Sequence, residues 1–281
     1  DADVNVAGVI LNKLGSPRHE RMIRDALRPS GIPVVGAVYR NASLHTPSRH
    51  LGLVQASERP DLEAFIETAA DLVDGSVDMP ALLKLAAPIT PPAFAPAILP
   101  PPAQSVAIAS DDAFAFAYPH LLQAWRDAGA TISFFSPLRD EAPAKADLIF
   151  LPGGYPELYA GQLAAAQTFK AALRKAPRVY GECGGYMMMG KGLIDANGEH
   201  HEMLGLLGLE TSFAQRKLHL GYRNLSPLGG PWSGPLSAHE FHYATTLRAD
   251  GAPLFEATDA TGAQLPLMGL RYGNHCGSFA H

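Results

Sequence analysis

The stretch Arg178-Val179-Tyr180-Gly181-Glu182-Cys183-Gly184-Gly185 decides the fold. A short strand runs into a turn of the pattern Gly-x-Cys-x-Gly, which is a nucleophile elbow with cysteine in place of serine. Such a turn needs strained backbone angles, and flanking glycines relieve the steric clashes. It also sets the Cys183 sulfur at the N-terminus of the next helix, where the helix dipole favours a thiolate. Because a thiolate attacks an amide carbonyl well, Cys183 is predicted to be a nucleophile.

A second glycine loop strengthens this interpretation. The sequence Leu151-Pro152-Gly153-Gly154-Tyr155-Pro156 ends an upstream strand. The backbone N–H groups of Gly153 and Gly154 could join that of Gly184 in an oxyanion hole. The alternative is a glycine-rich turn around an inert, buried cysteine, and the pairing of the two loops makes that alternative the less favoured one.

A thiol nucleophile needs a base, and the chain has 11 histidines. His281, in Gly277-Ser278-Phe279-Ala280-His281, follows a strand of small and aromatic residues and is the favoured candidate, with His275 as its competitor. His239 and His242 form a second cluster with a His-x-x-His spacing that could ligate a metal. No third or fourth ligand is evident in the sequence. A substrate or packing role is therefore favoured for this cluster, and no metal is predicted.

A proline-dense stretch divides the chain into two parts. Prolines are concentrated between positions 87 and 103, where they exclude helix interiors and central strands and predict an extended linker. We therefore predict a first domain over residues 1–86, the linker over 87–103, and a second domain over 104–281.

The first part has an α/β pattern. The apolar run Val6–Leu11 predicts a buried parallel strand, Ser16-Pro17 begins a helix, Ile32–Val38 forms the next strand, and a helix follows from about Pro60. Strand–helix alternation predicts a parallel sheet covered by helices. Two clear strands are too few for a complete doubly wound domain, and no Gly-x-x-x-x-Gly-Lys-Ser/Thr loop occurs in the sequence. We therefore expect the chain to start partway through a domain.

The second part repeats the alternation of strands and helices before its pattern changes. From Met203 onward, shorter apolar segments with Gly and Pro turns predict a mixed or antiparallel extension. The predicted strands are Ser105–Ala109, Thr131–Phe135 and Asp147–Leu151, and the predicted helices are Pro119–Ala128 and Leu158–Arg174.

Composition excludes several classes of function. The chain of 281 residues has a net charge of -5 and no block of Lys and Arg, so no nucleic-acid partner is expected. No stretch reaches the apolar length of a membrane span, and the N-terminus has no signal-peptide layout. Two cysteines, Cys183 and Cys276, do not make a disulfide framework and fit a reducing cytoplasm.

Together these motifs resemble the cobyrinic acid or hydrogenobyrinic acid a,c-diamide synthases. The resemblance covers nearly the whole chain, and the motifs occur in the family's order. They are Gly8-Val9-Ile10-Leu11-Asn12-Lys13, Pro47-Ser48-Arg49-His50-Leu51-Gly52-Leu53, Leu151-Pro152-Gly153-Gly154-Tyr155-Pro156-Glu157, Gly181-Glu182-Cys183-Gly184-Gly185, Gly221-Tyr222-Arg223, His239-Glu240-Phe241-His242-Tyr243 and Gly277-Ser278-Phe279-Ala280-His281.

The resemblance implies a fold and an activity. It implies a flavodoxin-like class I glutamine amidotransferase domain, preceded by part of a P-loop NTPase-like segment similar to dethiobiotin synthetase. In this family the N-terminal domain uses ATP and Mg to phosphorylate the a and c acetate carboxylates of a corrin precursor. Ammonia from glutamine then converts them to amides, as a step of cobalamin biosynthesis. Glutamine and the corrin precursor are thus the expected partners, and the sequence is compatible with a homodimer. ATP and Mg are implied for the full-length enzyme, with none predicted to be tightly bound by this chain.

The resemblance also assigns residues. The nucleophile corresponds to Cys183 and the base to His281. The glutamate that usually follows this histidine in class I enzymes is generally lacking in this family, and Glu240 is a candidate to orient His281 instead. Asn12 resembles the residue that reads adenine in dethiobiotin synthetase-like domains, with a plain turn-forming role as the alternative. Arg49 and His50 could face ATP or the tetrapyrrole.

Two other functional classes stay open. One is a cysteine-dependent hydrolase or peptidase with the same elbow, and the other is a degenerate module that binds a partner without catalysis. Whether the corrin substrate carries cobalt is also open, because its acid side chains are similar with and without the metal.

Overall fold

The computed structural model describes residues 5–46, 54–88 and 99–281. The chain divides into two compact units, Asp1–Pro96 and Ala97–His281, so the division falls inside the range predicted for the linker. Most of that range lies outside the described residues, as do Arg49 and His50.

The first unit contains two strands that pair in parallel. Its elements are β1 (Val9–Leu14), α1 (Pro17–Leu27), β2 (Val34–Tyr39), α2 (Leu62–Asp74) and α3 (Met79–Leu85). The strand predicted at Val6–Leu11 begins three residues later, and it is buried only in part, since Leu11 and Leu14 are buried but Ile10 is 43% exposed. The physical reason is that two strands offer little sheet to cover. Helix α3, which the sequence analysis missed, packs Leu85 against Gly8.

A six-stranded sheet organises the second unit. Its strand order is β15-β16-β6-β5-β3-β4, and all neighbours are parallel except the pair β15 and β16. If the five parallel strands β3, β4, β5, β6 and β16 are numbered 1 to 5 along the chain, their order across the sheet is 2-1-3-4-5. This is the strand order of flavodoxin-like folds. This confirms the predicted α/β class. The elements are β3 (Ser105–Ala109), α4 (Pro119–Asp127), β4 (Thr131–Phe135), β5 (Leu148–Leu151), α5 (Ala160–Ala165), α6 (Gln167–Arg174), β6 (Val179–Glu182) and α7 (Gly184–Met189), with β15 (Leu270–Tyr272) and β16 (His275–Ser278) at the end of the chain.

Both faces of this sheet are buried, as its continuous apolar strands require. Successive residues of β3 point into opposite cores. Ala107 joins the core that contains Phe169 of α6, and Ile108 joins the core that contains Trp125 of α4. The predicted helix Leu158–Arg174 is interrupted. It forms α5 and α6, because Ala166 leaves the helical region with φ -72° and ψ 80°.

The predicted extension is confirmed as two mostly antiparallel four-stranded sheets. One has the order β11-β10-β13-β14 and the other β12-β9-β7-β8. The strands are β7 (Gly192–Ile194), β8 (His200–Glu202), β9 (Gly208–Ser212), β10 (His219–Pro227), β11 (Leu236–His242), β12 (Thr245–Asp250), β13 (Phe255–Thr258) and β14 (Gln264–Met268). Within the described ranges, no helix combines the length and the apolar character that a membrane crossing requires.

Candidate active site

Three neighbouring parallel strands deliver the predicted site residues to one edge of the sheet. Strand β6 leads into Cys183, β5 leads into Gly153, and β16 leads into His281. The N–H of Cys183 donates to the carbonyl oxygen of Ser278 at 2.9 Å, which extends the pairing of β6 with β16. Ligands of open α/β sheets bind outside the carboxyl ends of the strands, and this edge is such a place.

Cys183 has the backbone conformation of a nucleophile elbow. Its φ is 46° and its ψ is -105°, a left-handed conformation that costs a non-glycine residue about 1–3 kcal/mol. The chain turns tightly enough that a Cβ on Gly185 would lie 1.8 Å from the carbonyl oxygen of Leu151. A Cβ on Gly181 would lie 2.8 Å from the carbonyl oxygen of Gly185. Only glycine therefore fits on either side of the turn.

The predicted oxyanion residues lie around the elbow. A Cβ on Gly153 would be 3.4 Å from that of Cys183, and one on Gly184 would be 3.0 Å from the nitrogen of Gly154. The loop is held from outside by Phe116, whose N–H donates to the carbonyl oxygen of Gly153 at 3.0 Å. The two glycine loops thus meet at the thiol, which is the arrangement that an oxyanion hole needs.

One ring nitrogen of His281 is hydrogen-bonded and, among the described residues, the other is not. Its Nδ1 lies 3.1 Å from the carbonyl oxygen of Phe279, and since a carbonyl only accepts, Nδ1 carries the proton. Burial and the neighbouring His239 lower the pKa of His281 to about 4. The neutral ring therefore keeps a lone pair on Nε2, as a general base requires.

The competitor His275 lies at the other end of the same strand. It pairs with Val179 at the start of β6, whereas Ser278 pairs with Glu182 at its end. His275 and Ser278 are three residues apart along β16, which corresponds to about 10 Å. The structure therefore brings His281, and not His275, to the edge that carries Cys183.

Comparison with known proteins agrees with this geometry. Residues 105–281 match the family described as the CobB/CobQ-like glutamine amidotransferase domain. The chain belongs to this family. It is 58% identical over 288 residues to a hydrogenobyrinate a,c-diamide synthase of Brucella abortus and 54% identical over 286 residues to that of Rhizobium meliloti. Each alignment covers 99% of this chain and 66% of the relative, so the chain spans about two thirds of the length of the curated relatives it matches.

A solved glutamine amidotransferase from Thermotoga maritima also aligns with the chain. It is 15% identical, covers 66% of this chain and 76% of its own, and gives a TM-score of 0.41. A likeness at that score supports no conclusion about the site.

The thiol of this amidotransferase domain is not ionised in the free protein. Burial raises the pKa of Cys183 to about 12, and the charge of Glu157 adds to the rise, while the N–H of Gly184 acts in the opposite direction. The N–H at the start of α7 acts in the expected direction, towards the thiolate, but burial outweighs it in the free protein. A base must remove the proton.

Two residues missed by the sequence analysis border the amidotransferase site. Phe116 and Tyr118 follow β3, and the Tyr118 ring lies 6.4 Å from that of His281. Burial, together with the charges of Glu182 and Cys183, raises the pKa of Tyr118 to about 12, so its hydroxyl keeps its proton. The sequence signal for these two residues was their position just after the carboxyl end of the first parallel strand of the sheet, where ligands of such sheets bind.

The predicted cluster of His239 and His242 divides: the His239 ring packs against that of His281 with centroids 4.4 Å apart, whereas His242 belongs to a separate packed network. Glu240, the candidate to orient His281, instead accepts hydrogen bonds from Arg223 at 2.8 Å and pairs with His242 at 2.9 Å. His219 brings a third ligand atom within 4.8 Å of Glu240 and His242. The rings of His219 and His242 stack at 4.6 Å with 7° between their planes, so their in-plane lone pairs do not converge on one ion. The geometry favours packing over metal binding here.

One cavity of the second unit borders the elbow helix α7 and the Arg223–Glu240 pair. It has a volume of about 560 Å³ and is lined by Tyr186, Arg223, Glu240 and Phe279, among others, but not by Cys183 or His281. The glutamine site is therefore not assigned to this cavity.

The predicted adenine contact lies in the first unit. Asn12 is exposed near the carboxyl end of β1, where its Oδ1 accepts the N–H of Lys13 at 2.8 Å. The sequence of residues 1–281 contains no Gly-x-x-x-x-Gly-Lys-Ser/Thr loop. The role of Asn12 stays a prediction.

Alkylation of Cys183 by iodoacetamide should report its raised pKa. Because thiolate is the reactive form, we expect the rate constant to rise about tenfold per pH unit from pH 7 to 10 without a plateau, whereas an ordinary thiol levels off above about pH 8.5. Burial also raises the pKa of Cys276 to about 12, so the measurement uses the Cys276→Ala variant. A plateau below pH 8 would contradict the raised pKa.

Proposed function

We propose that Cys183 and His281 hydrolyse glutamine to glutamate and ammonia. The observation that carries this proposal is the elbow itself, in which Cys183, with a positive φ, donates a hydrogen bond to Ser278, the last residue of the strand that leads into His281. Membership of an amidotransferase domain family over residues 105–281 supports it independently.

In the proposed reaction, these groups act in the following order. Nε2 of His281 takes the thiol proton, and the Cys183 sulfur attacks the γ-amide carbon of glutamine. N–H groups of Gly184 and the Gly153-Gly154 loop stabilise the oxyanion. The imidazolium then returns the proton to the leaving nitrogen, so that ammonia departs and a γ-glutamyl thioester remains. Water, activated by the same imidazole, attacks the thioester and releases glutamate and the thiol.

The ammonia is not the end product in this proposal. The chain supplies the glutaminase half of an enzyme that amidates the a and c acetate carboxylates of hydrogenobyrinic or cobyrinic acid in cobalamin biosynthesis. Relatives 49–58% identical to the chain are named hydrogenobyrinate a,c-diamide synthase, which supports hydrogenobyrinic acid as the substrate. ATP and Mg would serve carboxylate activation in the full-length enzyme. Both cysteines are free, which suits a reducing cytoplasm.

Cys183→Ala should abolish glutamine hydrolysis, since no other group supplies the nucleophile. We expect glutamate release to fall by at least about 10³-fold, within the range seen when a nucleophile is removed. The matched control is Cys276→Ala, which removes the other buried cysteine from the same sheet and should keep the wild-type rate. Glutamate release by Cys183→Ala at the wild-type rate would refute the proposal, and turnover of peptides in place of glutamine would favour a peptidase.

His281→Ala should lower kcat by about 10²–10⁴-fold, the usual contribution of a general base. His275→Ala is the control, because its buried Nδ1 has no hydrogen-bond partner in the described structure and it lies at the far end of β16. We expect that control to stay within about twofold of wild type. Equal losses in the two variants would exclude His281 as the specific base.

A further inference from the structure

We propose that Arg223, Glu240 and His242 form a positioning network that holds Phe279, and through its carbonyl oxygen the imidazole of His281. The inference rests on the proposed function, in which His281 is the base. In a Cys–His–Glu triad a carboxylate orients the histidine ring. Here we assign that orienting role to a network on strands β10 and β11.

The network begins with a buried ion pair. Nε and Nη2 of Arg223 donate to Oε2 of Glu240 at 3.1 and 2.8 Å, and the two side chains are 15% and 11% exposed. Burial alone would raise the pKa of Glu240, but hydrogen bonds from His242 and Arg223 outweigh it and leave that pKa below its ordinary value. Glu240 is therefore a carboxylate with its second oxygen directed at His242.

His242 is clamped through both ring nitrogens. Nε2 lies 2.9 Å from Oε1 of Glu240, and Nδ1 lies 3.1 Å from the carbonyl oxygen of Ala244. A carboxylate and a carbonyl both accept hydrogen bonds, so each ring nitrogen of His242 lies within hydrogen-bond distance of an acceptor. The ring has no rotational freedom left, because turning it would break two hydrogen bonds in a site where water cannot replace them.

The clamped ring is the surface on which Phe279 packs. The two ring centroids are 3.8 Å apart with 15° between the planes, so the rings are stacked. Tyr186 of α7 meets the Phe279 ring edge-on at 5.2 Å. Phe279 is thus fixed from the extension on one side and from the elbow helix on the other.

The position of Phe279 sets that of the base. Its carbonyl oxygen is the partner of Nδ1 of His281 at 3.1 Å. The backbone of His281 is also paired with His239 on β11, with N–H to oxygen distances of 3.0 and 2.8 Å in the two directions. Strand β11 therefore holds both the main chain of His281 and, through His242, the group that orients its ring.

The network predicts a split between the kinetic constants for glutamine hydrolysis. His242→Phe keeps the ring stack but removes both hydrogen bonds, and Glu240→Gln keeps the shape but removes the charge. We expect each to lower kcat by about 10- to 100-fold, as misplacement of a reacting group does, with KM for glutamine within about twofold of wild type. The matched control is His201→Phe, which breaks a similar pair with Asp195 at 3.1 Å on the β7–β8 hairpin and should keep the wild-type kcat.

A double-variant cycle separates positioning from general loss of structure. If the network acts through His281, adding Glu240→Gln to His281→Ala should lower kcat by less than about twofold further. Fully multiplied losses, or an unchanged kcat in both single variants, would overturn the inference. If His242→Phe does not fold, Glu240→Gln alone decides the outcome. A wild-type chain that hydrolyses no glutamine would instead refute the proposed function itself.

Discussion

The left-handed backbone of Cys183 is the constraint on which the site depends. A cysteine keeps φ 46° only if the surrounding structure supplies the energy that this conformation costs. Here the support comes from the close approach of Gly185 to Leu151 and from the hydrogen bond between Cys183 and Ser278. The same contacts bring β5, β6 and β16 together, so the elbow that lifts the sulfur also assembles the glycine loop and the histidine.

Burial determines the pKa values of Cys183 and His281. It raises the pKa of the Cys183 thiol to about 12 and contributes most to lowering that of His281 to about 4, so the pair is neutral in the free protein. In the proposed reaction, proton transfer from Cys183 to His281 would create two charges in a place that disfavours each alone, and the attraction between the charges would have to offset that cost. Glutamine would therefore be attacked only when it fills the site and the oxyanion donors are engaged. This is a useful property for an enzyme that must not waste ammonia.

The sequence was sufficient for the features with short-range signals. Glycines at 181, 184 and 185 around a cysteine predict the elbow, and a proline-dense stretch marks the region where the two units divide. It was insufficient where the outcome depends on long-range packing. The exposure of Ile10 depends on how much sheet covers it, and the ionisation of Cys183 depends on depth of burial. The partners of Glu240 depend on the register of β10 against β11, which places Arg223 within reach.

Covalent labelling tests the central claim most directly, because it requires nucleophile, base and glutamine site to act together. A γ-diazoketone analogue of glutamine would be incubated with the chain, and the labelled peptides identified by mass spectrometry. We predict a single adduct on Cys183, blocked by glutamine and absent from Cys276, the other buried cysteine. An unlabelled chain, or equal labelling of both cysteines, would contradict the assignment of Cys183 as the nucleophile of a glutaminase.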